Sequence, residues 1–286
     1  RRHRHPICVA HDPEKWEPVF GKDHAQKKVN PMTDMPRNAF KHALAAGKLQ
    51  IGLWSSLCSN IAAEIISDSG FDWILLDTEH SPNEIPDLVT QLQAIQAGTA
   101  TPIIRPAWND AVLAKRCLDI GAQSLLFPYV QKAEEAKRAV ASTRYPPQGI
   151  RGVSVAARAS RYGRTPGYLS KANAEICVLV QVETAPALAQ LEAIAKVEGV
   201  DGVFIGPSDL AASLGHLGNP QHVEVQKAMQ DAVTRLKALG KPAGILTGNE
   251  EEARRYIDWG YLFVAVGADI GLLARNADAL AKKFKS

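Results

Sequence analysis

The chain has 286 residues, 46% hydrophobic and 22% charged, with a formal net charge of +3. That length suits one large α/β domain or two small ones. No apolar run approaches the roughly 18 residues of a membrane span, and the opening Arg1-Arg2-His3-Arg4-His5-Pro6 lacks the apolar stretch of a signal peptide. Residues 1–31 hold seven Lys/Arg and four Asp/Glu; taking these from the totals of 33 and 30 leaves 26 of each sign in the remainder. The body is formally neutral, so no basic field argues for nucleic acid or an anionic membrane. None of Cys8, Cys58, Cys117 and Cys177 forms a C-x-x-C pair, which excludes zinc ribbons and thioredoxin motifs and fits reduced, structural cysteines in the cytoplasm.

In chain order, residues 1–31 show no sustained period and are read as a flexible leader or appended segment. The domain proper is 32–286. A first short helix is expected over 36–47, with Pro36 at its start and Gly47 past its end. Eight apolar runs follow, at 51–57, 71–77, 102–106, 124–128, 176–182, 202–205, 243–247 and 262–266. Each is followed by a stretch with helical spacing. Strands alternating with helices imply right-handed βαβ units and a parallel sheet. Eight such units in this length predict a TIM (β/α)8 barrel. The rival, a doubly wound sheet, normally carries a Gly-rich turn after its first strand; here that turn is Ser55-Ser56-Leu57-Cys58-Ser59-Asn60, without glycine. The long connection 144–164 is expected to cover the active-site mouth or to contact a neighbouring subunit.

Polar groups gather where strands are expected to end: Asp77-Thr78-Glu79-His80, Arg105, Gln181 with Glu183, Ser208-Asp209 after Gly206, and Leu246-Thr247. In a β/α barrel these ends share one face, where active sites are built. Two acids from neighbouring strands, Glu183 and Asp209, form a hard-oxygen site suited to Mg²⁺ or Mn²⁺. An arginine nearby can stabilise an oxyanion, and a histidine beside an acid can move a proton. Each residue also has a structural reading: Asp209 as a helix cap, Arg105 as a partner of Asp77, Glu79 as an orienting group, His80 as a surface loop residue. No lysine falls inside an expected strand, which disfavours imine catalysis from a strand lysine and favours a metal.

These motifs resemble the HpcH/HpaI aldolases, the class II pyruvate aldolases. The resemblance rests on Gly70-Phe71-Asp72-Trp73, Asp77-Thr78-Glu79-His80, Arg105-Pro106-Ala107-Trp108-Asn109-Asp110, Gly149-Ile150-Arg151-Gly152, Leu179-Val180-Gln181-Val182-Glu183-Thr184, Gly206-Pro207-Ser208-Asp209-Leu210 and Gly218-Asn219-Pro220-Gln221-His222. It runs from about Asn38 to the C-terminus. It implies a divalent-metal-dependent lyase (Mg²⁺ or Mn²⁺, with Co²⁺ an alternative) that splits 4-hydroxy-2-oxoacids into pyruvate and an aldehyde. Glu183 and Asp209 would ligate the metal. Arg105 would stabilise the enolate, and His80, oriented by Asp77, would handle the proton. Gln181, Gly206, Ser208 and Asp209 would line the pyruvate pocket, with Leu246 at the aldehyde. The expected assembly is a homo-hexamer, a trimer of dimers, with the last helix on a neighbouring subunit. Sugar-acid aldolases share this apparatus and remain the alternative; a non-catalytic barrel is the alternative from another class. Two departures, Thr78 for the common glycine and Ser208 for the common alanine, sit beside the site and bear on the aldehyde.

Overall fold

The computed structural model describes residues 34–285. The expectation of a flexible leader over 1–31 lies outside the described residues. Eight parallel strands close into a barrel in sequence order. They are β1 (Gln50–Ser55), β2 (Trp73–Asp77), β3 (Thr101–Arg105), β4 (Ser124–Phe127), β5 (Cys177–Val182), β6 (Gly202–Ile205), β7 (Ala243–Leu246) and β8 (Phe263–Ala268). Every expected apolar run overlaps one of them. Helices follow each strand: Asn60–Ser67, Ile85–Ile95, Ala111–Asp119, Ala133–Thr143, Ala185–Ala189 with Leu191–Ala195, Pro207–Ser213 with Val223–Ala238, Glu250–Trp259 and Asp269–Lys285. Several start where a side-chain oxygen accepts an orphan helical N–H, as Ser59, Asp110, Thr184 and Asn249 do.

Alternation along the strands sorts the core into two layers. Outward-facing residues such as Ile74, Leu76, Ile104, Val178, Val180 and Val203 pack under the helices. Inward-facing residues fill the barrel: Trp54, Trp73, Leu75, Ile103, Leu126, Cys177, Leu179, Phe204 and Phe263. The large aromatic rings fit because their neighbours lack side chains. A Cβ on Gly52 would lie 2.2 Å from the Trp73 ring, and one on Gly244 2.1 Å from Phe263. The helix Ala39–Ala45 closes the N-terminal end, its Phe40 edge-on to Trp73 and Phe263 at 5.9 Å. Asn38 caps this helix and bonds Gln123, Ser124 and Glu175 at the base of β4 and β5.

The connection 144–164 corrects one expectation. It runs from the end of helix Ala133–Thr143, through a short turn at Arg158–Ser160 and helix Tyr168–Glu175, to the start of β5. Arg158 donates to the Ile120 carbonyl, at the far end of helix Ala111–Asp119. A helix returns antiparallel to its strand, so this segment lies at the N-terminal face, opposite the strand ends. It does not cover the mouth of the site. Its exposed Ile150, Val153, Val155 and Tyr162 are compatible with the other half of that expectation, contact with a neighbour.

Candidate active site

Continuing each inward series by two residues leads from apolar core to polar site. On β2, Trp73 and Leu75 are followed by Asp77; on β3, Ile103 by Arg105; on β5, Cys177 and Leu179 by Gln181 and then Glu183. The site is thus the top inward layer of the barrel, and parallel register sets its pairs. Asp77 stands directly beside Arg105 across β2 and β3. Arg105 Nε donates to Asp77 Oδ1 at 2.8 Å and Nη2 to Oδ2 at 2.7 Å, a two-pronged contact. Its Nη1 lies 2.8 Å from Glu79 Oε2, a close ion pair whose angle falls short of a hydrogen bond. Its guanidinium carbon sits 5.0 Å from the centre of the Trp54 ring, and Trp54 Nε1 donates to Asp77 at 3.3 Å.

The pair at the centre is buried: Asp77 is 1% exposed and Arg105 6%. Burial alone would raise the Asp77 carboxyl, but the Arg105 hydrogen bonds and charge outweigh it and hold it below the usual carboxylate range. Glu79 goes the other way. Burial pushes its carboxyl up more than the single contact with Arg105 pulls it down.

The second half of the site is Glu183, one residue beyond β5 and 2% exposed. Its Oε1 accepts the Tyr129 backbone N–H at 2.9 Å, and its Oε2 accepts a short bond from Gln181 Nε2. Burial, aided by the charge of Asp209, pushes the carboxyl up to about 7 despite those bonds. Gly206 makes room for it: a Cβ there would fall 2.6 Å from Glu183 Oε2 and 3.1 Å from Gln181 Nε2. Asp209 is exposed in the first turn of helix Pro207–Ser213, beside exposed Ser208. Leu246 ends β7 and is half-buried. Trp108 and Tyr129, both exposed, stack with ring centres 5.6 Å apart.

The donor set fits a divalent cation. Arg105 pairs with Asp77 and Glu79, while Glu183 and Asp209 add like charge near Glu79, an excess of negative charge that one hard cation offsets. Glu183 is an acid whose ionised form is disfavoured by burial and by Asp209, which a cation between the two carboxylates would reverse.

The strand-end acids, Arg105, Gln181 and Gly206 are brought together as the spacing requires. One pairing differs. Asp77 does not orient His80, because both its oxygens are taken by Arg105, with Trp54 and the Glu79 N–H adding to them. His80 is exposed in the loop after β2, its Nε2 3.8 Å from Glu79 Oε2. Three contributors were missed in the sequence. Trp54 lies under Arg105. Tyr129 offers a backbone N–H from a left-handed turn residue (φ 53°). Buried Asp269 accepts from Ser55, Ser56 and Leu57 and fixes the loop after β1. Only Trp54 had a signal, its place as an inward aromatic near the end of β1.

A family model described as HpcH/HpaI aldolase/citrate lyase matches residues 50–276. A pyruvate aldolase of Rhizobium etli is 59% identical over 251 residues, 88% of this chain and 99% of that one. A 4-hydroxy-2-oxo-heptane-1,7-dioate aldolase of Klebsiella pneumoniae is 58% identical over 248 residues, 86% of this chain and 94% of its own length. The crystal structure of an HpcH/HpaI aldolase/citrate lyase family protein from Burkholderia cenocepacia superposes with a TM-score of 0.84 at 40% identity, covering 87% of this chain and all of that one. Barrel, strand-end site and these relatives agree: the chain belongs to the HpcH/HpaI aldolase/citrate lyase family.

Proposed function

We propose that the protein is a metal-dependent aldolase that cleaves 4-hydroxy-2-oxoacids to pyruvate and an aldehyde and catalyses the reverse addition. The observation that carries this reading is the placement of a carboxylate-braced arginine and a pair of acids on one barrel mouth. The name of the Klebsiella relative supports 4-hydroxy-2-oxoheptanedioate as substrate, with succinic semialdehyde as the aldehyde.

In the cleavage, the C3–C4 bond breaks as the 4-hydroxyl loses its proton. The electron pair moves onto the pyruvate half as an enolate, which then takes a proton at C3. Glu183 and Asp209 would hold a divalent cation, Mg²⁺ or Mn²⁺, which when bound polarises the carboxylate and keto oxygens of the 2-oxoacid. Arg105 donates to the keto oxygen as it gains charge. Two of its five N–H groups serve Asp77, and those on Nη1 and Nη2 that remain reach Glu79 and the substrate. Asp77 and Glu79 fix the guanidinium plane in advance, so no reorganisation accompanies the charge shift. Gln181 and the backbone at Gly206 and Ser208 line the pyruvate, and Leu246 borders the aldehyde. His80, at the open side next to Glu79, carries the proton through a water. We further take the protein to be a cytoplasmic homo-hexamer, a trimer of dimers. Free Cys58, Cys117 and Cys177 support a reducing compartment, and among the described residues no helix is long and apolar enough to cross a membrane.

The test is a panel of pyruvate with succinic semialdehyde or a hydroxylated aldehyde, under EDTA and then with Mg²⁺, Mn²⁺ or Co²⁺. EDTA should abolish turnover and Mg²⁺ or Mn²⁺ restore it. Glu183→Gln should bind metal far more weakly and turn over at least about a hundredfold more slowly. Full turnover in metal-free buffer overturns the reading. A clear preference for the hydroxylated aldehyde moves the substrate to the sugar acids.

A further inference from the structure

We propose that His216, His222 and Glu224 form a second metal site, separate from the strand-end carboxylates and selective for a borderline cation such as Zn²⁺. One nitrogen of each imidazole and one Glu224 oxygen all lie within 4.8 Å of one another. His216 Nε2 stands 2.8 Å from Glu224 Oε2. The two imidazoles stack face to face, with centroids 3.5 Å apart and planes 18° apart. The three come from one short stretch, the turn after helix Pro207–Ser213 and the start of helix Val223–Ala238. His216 and His222 are half-buried and Glu224 is exposed, so a cation reaches them from solvent.

Two imidazoles and a carboxylate are the donor set of open zinc sites, with a fourth position left for water. The same set suits Mg²⁺ poorly, since that ion prefers oxygen ligands. Ligand atoms around a tetrahedral zinc stand on the order of 3.3 Å apart, and the two rings must swing out of their stack for their in-plane lone pairs to converge on one cation. The His222 side chain also caps helix Val223–Ala238, its Nδ1 accepting the Glu224 N–H at 3.3 Å. Ligation through Nε2 moves the ring proton to Nδ1 and gives up that long, weak bond.

The experiment is equilibrium dialysis of the full chain against micromolar Zn²⁺ with Mg²⁺ in large excess, with bound zinc counted per chain. The leader carries His3, His5, His11 and His24, so the readout is the difference between variants that all retain it. His216→Phe keeps a ring stacked on His222 but removes a ligand, and His216→Ala with His222→Ala removes two. Each should lose one zinc per chain, or show at least tenfold weaker binding at that site, with Mg²⁺-supported turnover unchanged. Glu183→Gln should keep this zinc, which separates the site from the proposed catalytic one. If His216→Phe, folded and melting as the parent does without metal, binds as much zinc as the parent at every concentration, the proposal fails.

Discussion

Arg105 holds its position through contacts that differ in kind: a two-pronged hydrogen bond to Asp77, an ion contact with Glu79 and the face of Trp54. A lysine reproduces none of that planar geometry. Removing a donor aimed at a developing oxyanion commonly costs about 3 kcal/mol, or a hundredfold or more in rate. Arg105→Ala should therefore lose both aldol cleavage and metal-dependent exchange of the pyruvate methyl protons, read by proton NMR in D₂O, and Arg105→Lys should recover little. Normal exchange in either variant would remove Arg105 from the reacting centre. Gly206 gives an independent check of the acid pair. Its backbone leaves no space for a Cβ against Glu183 and Gln181. Gly206→Ala should displace the Glu183 carboxylate and weaken Mn²⁺ affinity by about tenfold, the range seen when groups that orient a metal ligand are lost. A titration showing unchanged affinity would mean that Glu183 is not the ligand.

At the scale of the element, the barrel is a set of strands whose inward series ends in chemistry, plugged at the other end by helix Ala39–Ala45. Phe40 is fully buried against two aromatic rings. Deleting a buried aromatic side chain typically removes about 3–5 kcal/mol, so Phe40→Ala should lower the midpoint of thermal or urea unfolding markedly. Turnover at temperatures where the variant is folded should persist, because the plug and the site occupy opposite faces. How legible these elements were depends on the range of the forces involved. The eight strands were readable because each is a short buried run between turn residues, and the two-residue period then carried Asp77, Arg105, Gln181 and Glu183 to one face. What stayed hidden depends on register and on non-local contacts. Arg105 as a partner of Asp77 was one reading open from the sequence; that the pair engages both Asp77 oxygens and leaves His80 to Glu79 follows from β2–β3 pairing, which the apolar pattern alone does not specify. The hold of Asp269 on Ser55–Leu57 spans more than two hundred residues of chain. The side of the barrel on which 144–164 lies does follow from helix direction. Its length suggested a lid, and the direction of the returning helix is the stronger guide.

At the scale of the whole molecule, one large element has no partner of its own among the described residues. Helix Asp269–Lys285 is anchored by buried Asp269, yet Ile270, Leu272, Leu273, Leu280 and Phe284 along it are all exposed, Phe284 by 83%. The helix spans about 25 Å, and in proteins most helical stability comes from packing an amphipathic face. Packing on its own barrel, one of two readings open from spacing alone, does not cover it. In the proposed hexamer a second copy of the chain would cover it, the same helix being offered and received by every subunit. The proposed hexamer therefore makes a demand on this element. Ending the chain after Asp269 keeps the anchor for Ser55–Leu57 but removes the apolar face, and should yield smaller species or aggregates in analytical ultracentrifugation. Leu273→Asp with Phe284→Asp should shift the same distribution while leaving the far-ultraviolet spectrum of the barrel intact. Sedimentation of the intact protein as a monomer at micromolar concentration would refute the assembly and leave the exposed helix unexplained.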